Sequence, residues 1–296
     1  MSNKKHVLIM GGDARYIHVI NLLADTTDMH LYLIGFDHLS FEKSNIKHTE
    51  LENMNLSLLD AIILPVGGTD EKGKVEVTYS DKALFLTEQI ISCTPEHCTI
   101  YTGTANHYLQ HICTATKRTL VKIFERDDVA IYNSIPTAEG TLKLAMKATD
   151  ETIHNANVCI LGFGRVGKTV ARLFDAVGAN VTVVARNQAD IARITEMGLT
   201  AVKLQNLNTI ISEMTICVNT IPYPVIDEEL ISNMSSSTVI IDLASKPGGV
   251  DFSFAKKEGI QAIHALGLPG KTAPKTAGKI IASVLLESMN VSASSV

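Results

Sequence analysis

Cysteine is scarce in this chain. Five residues in 296, at irregular spacings, form no disulfide framework and suit a reducing, cytoplasmic setting. Basic residues are in deficit too. Twenty-six Lys and Arg against 31 Asp and Glu leave a net charge of -5, and no long basic run offsets it, which argues against a nucleic-acid partner. No apolar run is long enough to span a bilayer, so no membrane association is expected. The chain enters an apolar run at 6–10, leaving no room for a signal peptide ahead of it. CxxC and HExxH patterns are missing. His97, Cys98, His107, His111 and Cys113 lie near one another, and His107 and His111 share helical spacing. Without a ligand pattern they read as structural or solvent-facing, and no metal is expected. No internal repeat or low-complexity linker divides the chain. Its length and 46% hydrophobic content allow one large core or two medium ones, and two domains is the better expectation.

What is present is organised around residues 156–187. An apolar run at 158–161 meets Gly162-Phe163-Gly164-Arg165-Val166-Gly167. A helix-period pattern follows through Val170, Leu173, Phe174 and Val177, and Gly178 precedes a second apolar run at 181–184. Strand, glycine turn, helix and strand in this length make one βαβ unit. Gly162 permits the tight turn, Gly164 lets a pyrophosphate approach the backbone, and Gly167 allows close helix–strand packing. The free N–H groups at the helix start then face the phosphates. In NAD sites the second strand ends in an acid that bonds the ribose 2′-hydroxyl. Here it ends in Ala185-Arg186-Asn187. A guanidinium forks onto a 2′-phosphate that a carboxylate would repel, so the expected cofactor is NADP.

Taken in order, the chain repeats a strand–helix rhythm. Strands are predicted at 7–10, 31–34, 61–66, 99–101 and 120–124, with helices at 15–23 and 106–113. Residues 67–80 read as a polar loop that faces the active site or is mobile, and Asp81 as the N-cap of a helix over 83–91. Residues 133–139, with Asn133, Ser134, Pro136 and Thr137, read as the start of a long helix through 146. Its N–H groups and hydroxyls would either cap the helix or bind a substrate carboxylate. After the fingerprint the rhythm continues with a helix capped by Asn187 and strands at 201–204, 216–218, 239–241 and 260–263. Ligands lie outside the carboxyl ends of such strands. The loops at 219–222 (with Thr220, Ile221 and Pro222), 242–249 (with Leu243, Ala244 and Lys246) and 266–271 (with Gly267 and Leu268) should therefore line the nicotinamide half of the site. A final amphipathic helix starts at Pro274 or Thr276, and 292–296 reads as a frayed tail. The fold class is thus α/β, with two Rossmann-like parallel-sheet domains. A substrate domain (flavodoxin- or Rossmann-like) is expected over 1–150, an NADP domain over 151–270, and a C-terminal helix (271–296) packing back on the first domain.

Particular stretches go further than the rhythm. GlyGlyAspAlaArgTyr (11–16), AsnSerIleProThrAlaGluGly (133–140), GlyPheGlyArgValGly (162–167), IleAspLeuAlaSerLysProGlyGlyValAspPhe (240–252) and LeuGlyLeuProGlyLysThrAlaProLysThrAlaGly (266–278) span nearly the whole chain. In these the sequence resembles the A-subunit family of bacterial dipicolinate synthases. The resemblance implies an NADP-dependent, sporulation-specific enzyme that oxidises a dihydrodipicolinate-level intermediate to pyridine-2,6-dicarboxylate. It also implies a partner, a flavoprotein-like B subunit, and a homo-oligomer is expected. A small substrate with two carboxylates needs cationic or N–H-rich anchors. Arg15 is the best candidate because its fork binds a carboxylate bidentately, its alternative role being a salt bridge on the helix surface. Ser134 and Thr137 would hold the other carboxylate, and Lys246 and Lys271 would reach either the nicotinamide mouth or a cofactor phosphate. Glu139 reads either as a proton acceptor or as an early-helix acid complementing the dipole. His264, inside a predicted strand, reads as a packed or surface histidine. Two rival readings are a non-catalytic NADP-binding regulatory protein and a dehydrogenase of a small keto, imino or hydroxy acid.

Overall fold

Runs such as Val7-Leu8-Ile9-Met10 are apolar at every position, and all four side chains are fully buried. Continuous apolar runs belong to parallel strands covered on both faces. The computed structural model describes residues 4–26, 28–245 and 247–290. It divides into two units, one formed by Met1–Ala130 with Ala273–Val296 and the other by Ile131–Thr272.

Unit 1 holds β1 (Lys5–Met10), α1 (Ala14–Ala24), β2 (Met29–Ile34), β3 (Ile46–His48), β4 (Ala61–Ile63), a short hairpin of β5 (Lys74–Val75) and β6 (Leu84–Phe85), α2 (Glu88–Ser92), β7 (Thr99–Thr102), α3 (His107–Ala115) and β8 (Thr119–Lys122). Six strands pair in the order β3-β2-β1-β4-β7-β8, each pair parallel. The C-terminal helix (Pro274–Ser288) packs against α1, burying Ile281, Val284 and Leu285 in the same core as Val19, Ile20 and Leu23. Gly278 makes the approach possible, since a Cβ there would lie 2.5 Å from the Arg15 carbonyl oxygen. The helix expected over 83–91 forms only in its second half. Residues 84–85 form β6 instead, buried Leu84 and Leu86 anchoring the hairpin, and α2 begins later with Thr87 as its N-cap. The Asp81 side chain is exposed and pairs with His38.

A long helix, α4 (Asp127–Ala148), runs from one unit into the other. Its first turn carries Asp127 and Asp128, the acids that complement a helix start. Val129 is buried in the core of unit 1, whereas Ala138 and Ala145 are buried in that of unit 2. The division therefore falls at residues 130/131, inside the helix, and not near 150.

Unit 2 continues with β9 (Asn157–Leu161), α5 (Arg165–Ala176), β10 (Asn180–Ala185), α6 (Gln188–Glu196), β11 (Thr200–Lys203), β12 (Ile216–Asn219), α7 (Glu228–Ser232), β13 (Val239–Asp242), α8 (Phe252–Lys257), β14 (Gln261–His264) and α9 (Leu268–Thr272). The C-terminal helix is α10. The strand order is β11-β10-β9-β12-β13-β14, all parallel. In each unit the chain order reverses direction across the sheet beside the first strand, at β1/β4 and at β9/β12. Such switch points open crevices at the carboxyl ends of the strands.

Candidate dinucleotide site and its surroundings

The β9/β12 switch point is built as the glycine pattern requires. Gly162 has φ +99°, and a Cβ on it would sit 2.4 Å from Thr220 Oγ1. A Cβ on Gly167 would come within 2.2 Å of the Gly162 carbonyl oxygen, so this glycine sets the helix-to-turn packing. Gly164 faces open space, with nothing within 4 Å of a Cβ, and is the N-cap of α5 without a side chain to bond the helix N–H groups. Those donors are left for a ligand.

A cavity of about 560 Å³ opens there. Its walls are Gly162 to Val166, then Val184, Ala185, Arg186, Asn187 and Asp190, then Leu204, and on the other side Thr220, Ile221, Pro222, Leu243, Ala244 and Ser245. Three of these escape the sequence reading, Val184, Asp190 and Leu204, whereas Ser245 falls within the 242–249 loop expected there. Asp190 has a readable signal, because it stands three residues after the N-cap. Asn187 Oδ1 accepts from the Asp190 N–H at 2.7 Å, and Asn187 Nδ2 donates to the Asp190 carboxylate at 2.6 Å. The adenosine end thus holds an exposed Arg186 next to an acid already engaged by Asn187. Gly167 is behind this wall. Gly267 and Leu268 are not on it either. Leu268 turns into the unit 2 core, where it meets the surface of Gly140.

The opposite wall is held from below by a buried polar clasp. Asn219 and Asp242 end β12 and β13 and are both fully buried. Asn219 Nδ2 donates to Asp242 Oδ1 at 2.8 Å and to the Ile221 carbonyl at 3.0 Å, while its Oδ1 accepts from the Ile221 N–H. Asp242 also accepts the N–H groups of Ala244 and Gly249. Gly249 is required here, for a Cβ would fall 2.2 Å from Asn219 Nδ2. A buried carboxylate is costly unless its lone pairs are filled, and these are filled by the loops that line the cavity.

The remaining candidates are placed differently from the sequence reading. Ser134 and Thr137 do not open a helix. They lie inside α4, whose acid-rich first turn is at 127–128. Ser134 Oγ donates to the Ile131 carbonyl at 2.6 Å and meets Thr169 Oγ1 at 2.6 Å, and Thr137 Oγ1 donates to the Asn133 carbonyl. Their backbone N–H groups belong to a continuing helix, so no free helix start is available to a carboxylate. Glu139 is likewise a mid-helix, exposed residue and not an early-helix acid. Arg15 starts α1, but its fork is already occupied. Nε donates to both Asp13 oxygens, at 2.9 and 3.0 Å, and Nη2 to Asp13 Oδ2 at 2.6 Å. Burial disfavours the Asp13 carboxylate, yet the hydrogen bonds and charge of Arg15 outweigh it and hold its pKa below the usual value. Lys271 Nζ donates to the Leu266 carbonyl. His264 is exposed, and its ring lies tilted against that of Phe252, with centroids 5.2 Å apart. Lys246 and residues 292–296 lie outside the described residues.

Fold and cavity define a class: a two-sheet α/β dehydrogenase architecture whose second unit is a nicotinamide-dinucleotide-binding domain. Residues 131–247 match the D-isomer specific 2-hydroxyacid dehydrogenase NAD-binding domain, and residues 6–124 the N-terminal domain of the dipicolinate synthase A subunit. The sequence is 46% identical to the dipicolinate synthase A subunit of Bacillus subtilis (strain 168), covering 94% of each chain. The chain belongs to the dipicolinate synthase A-subunit family. The crystal structure of the dipicolinate synthase A subunit from Bacillus halodurans superposes with a TM-score of 0.92 at 47% identity, covering 97% of this chain and 99% of that one. A transhydrogenase from Sinorhizobium meliloti shares the fold alone, with a TM-score of 0.69 at 14% identity over 96% of this chain and 93% of that one.

Proposed function

We propose that the protein oxidises a dihydrodipicolinate-level intermediate to pyridine-2,6-dicarboxylate with NADP⁺ as acceptor, acting in sporulation together with a second subunit, as the name of its Bacillus subtilis relative suggests. The observation that carries this reading is the β9/β12 crevice, whose wall joins an open glycine turn to Arg186, in a chain of this family. When bound, the nicotinamide supplies the hydride acceptor. The reaction then balances simply. One ring carbon gives up a hydride, a neighbouring ring position loses a proton, and the ring becomes aromatic.

The protein's own part is placement. The α5 N–H groups at Gly164 to Val166 receive the pyrophosphate, and Arg186 receives the 2′-phosphate. Gly162, Phe163, Ala185 and Asn187 shape the adenosine side, while Thr220, Ile221, Pro222, Leu243 and Ala244, fixed by the Asn219–Asp242 clasp, shape the nicotinamide side. Arg15 keeps a substrate role through Nη1, the guanidinium nitrogen not given to Asp13. Lys246 remains a candidate second contact.

The test is the ultraviolet spectrum of pyridine-2,6-dicarboxylate growing from freshly generated dihydrodipicolinate precursor, with NADP⁺ or NAD⁺, with and without the second subunit. Product formed at the rate of NADPH appearance supports the reading. Tight NADP binding with no product in any combination contradicts it.

A further inference from the structure

Unit 1 has a switch-point crevice of its own, distinct from the dinucleotide cavity of unit 2. The chain leaving β4 turns through Gly67-Gly68-Thr69, and the β5/β6 hairpin then folds over the end of β1. The Gly12 N–H donates to the Glu76 carbonyl at 3.0 Å, and the Thr78 N–H to the Gly12 carbonyl at 3.3 Å. Val75 and Leu84 are buried beneath the hairpin, so this stretch is built into the unit and is not a loose loop. Between hairpin and turn lies a cavity of about 580 Å³, within the range that takes small ligands.

Two features of its lining point to an occupant. The first is Thr69, 7% exposed, whose Oγ1 is buried without a hydrogen-bond partner. Buried hydroxyls are nearly always paired, and one left over beside a cavity calls for a ligand or water. The second is the mixture of charge. Lys74 and Glu76 stand two apart on an extended stretch and so share one face, while Val75 between them turns to the core. The other charged groups of the lining already have partners. Asp70 accepts the N–H groups of Lys72 and Lys74 at 2.8 Å each, Asp81 pairs with His38, and Lys82 pairs with Glu50. What remains in the lining is one ammonium, one carboxylate whose charge the Arg15 guanidinium also feels, and one buried hydroxyl without a partner. A bare anion such as phosphate would be repelled by Glu76 and a bare cation by Lys74. A small molecule carrying both signs meets both.

We propose that this crevice binds a small cyclic amino or imino dicarboxylic acid, its carboxylate on Lys74 and Thr69 and its protonated ring nitrogen on Glu76. The choice of a ring diacid rests on the function proposed above, and the crevice is then the substrate subsite of unit 1.

The experiment is calorimetric titration of the full chain with two probes of one shape, cis-piperidine-2,6-dicarboxylate and cis-cyclohexane-1,3-dicarboxylate, which differ in the ring nitrogen. The piperidine acid is expected to bind about tenfold more tightly, the scale of one charge-assisted hydrogen bond. Glu76→Gln should erase that difference, Lys74→Met should weaken both probes about tenfold or more, and Thr69→Val should weaken both by a few-fold. NADP affinity, measured in the same variants, should stay within about twofold and so report an intact fold. If both probes bind but none of the three variants changes either affinity, or if neither probe binds the wild-type chain, the assignment is overturned. Turnover separates this from the function itself. Product formation with an unchanged substrate KM in Lys74→Met rejects the crevice alone. Probe binding at the crevice without any product formation rejects the reaction and leaves the binding site standing.

Discussion

Arg15 shows how much of a residue's bonding capacity a sequence neighbour can claim. Its type and its place after a strand end suggested a free carboxylate fork, but Asp13, the N-cap of the same helix, takes two of its nitrogens. Two-residue neighbours of opposite charge are visible in the sequence. Whether they close on each other depends on the cap geometry, which is not. The pair makes a pH-dependent contribution to stability. The Asp13 pKa is lowered in the folded state, so its contribution is complete above the unfolded value near ~3.9 and is lost as pH falls through the folded value. Arg15→Ala should therefore cost about 1.5–3 kcal/mol at neutral pH, the scale of a lost charged hydrogen bond. The gap to wild type in urea unfolding should narrow below about pH 4. A gap constant down to pH 3 would contradict the pairing.

At the scale of elements, most of the parallel strands were legible because strands buried on both faces read as unbroken apolar runs, and because one glycine turn between two of them has a single common meaning. The start of α4 was not. Pro136 with Ser134 and Thr137 has the chemistry of a helix N-terminus, yet the helix already began at Asp127, and the Ser and Thr hydroxyls return to carbonyls of the preceding turn. The β5/β6 hairpin was missed for a similar reason: Asp81 looked like a cap, while buried Val75 and Leu84 set the pairing by packing that no local pattern carries. Two predictions belong here. Gly278→Val, at the α1–α10 approach, should lower stability by about 1–3 kcal/mol through overpacking, read as a fall in the urea midpoint. Asp242→Asn, which leaves the Gly249 N–H facing an amide donor, should weaken NADP binding while affinity for 2′,5′-ADP, which lacks the nicotinamide half, stays within about twofold. Equal loss for both ligands would mean that the clasp supports the whole unit and not the nicotinamide wall.

For the whole molecule, the cysteines report on each unit in turn. Cys93 is exposed, Cys98 and Cys113 lie in the unit 1 core, and Cys159 and Cys217 in that of unit 2. Burial pushes Cys98 and Cys113 up to about 11, so neither offers much thiolate at neutral pH. Native labelling with iodoacetamide at pH 7.5 should modify Cys93 rapidly and the other four only through unfolding. NADP at about a hundred times its dissociation constant adds about 2.7 kcal/mol to whatever must unfold to release it. Labelling of Cys159 and Cys217 should slow about a hundredfold, and that of Cys98 and Cys113 less. Equal slowing of all four would place the cofactor's stabilising effect on both units together.

The most direct test of the central reading, an NADP-dependent oxidation served by the unit 2 crevice, is the ratio of kcat/KM for NADP⁺ and NAD⁺ in dipicolinate formation, compared between wild type and Arg186→Asp. Wild type should prefer NADP⁺ by about 10–100-fold, the equivalent of one guanidinium–phosphate contact of about 1.5–3 kcal/mol, and the variant should lose or invert that preference. A wild-type enzyme indifferent to the 2′-phosphate, or an Arg186→Asp variant that keeps the full preference for NADP⁺, would contradict it.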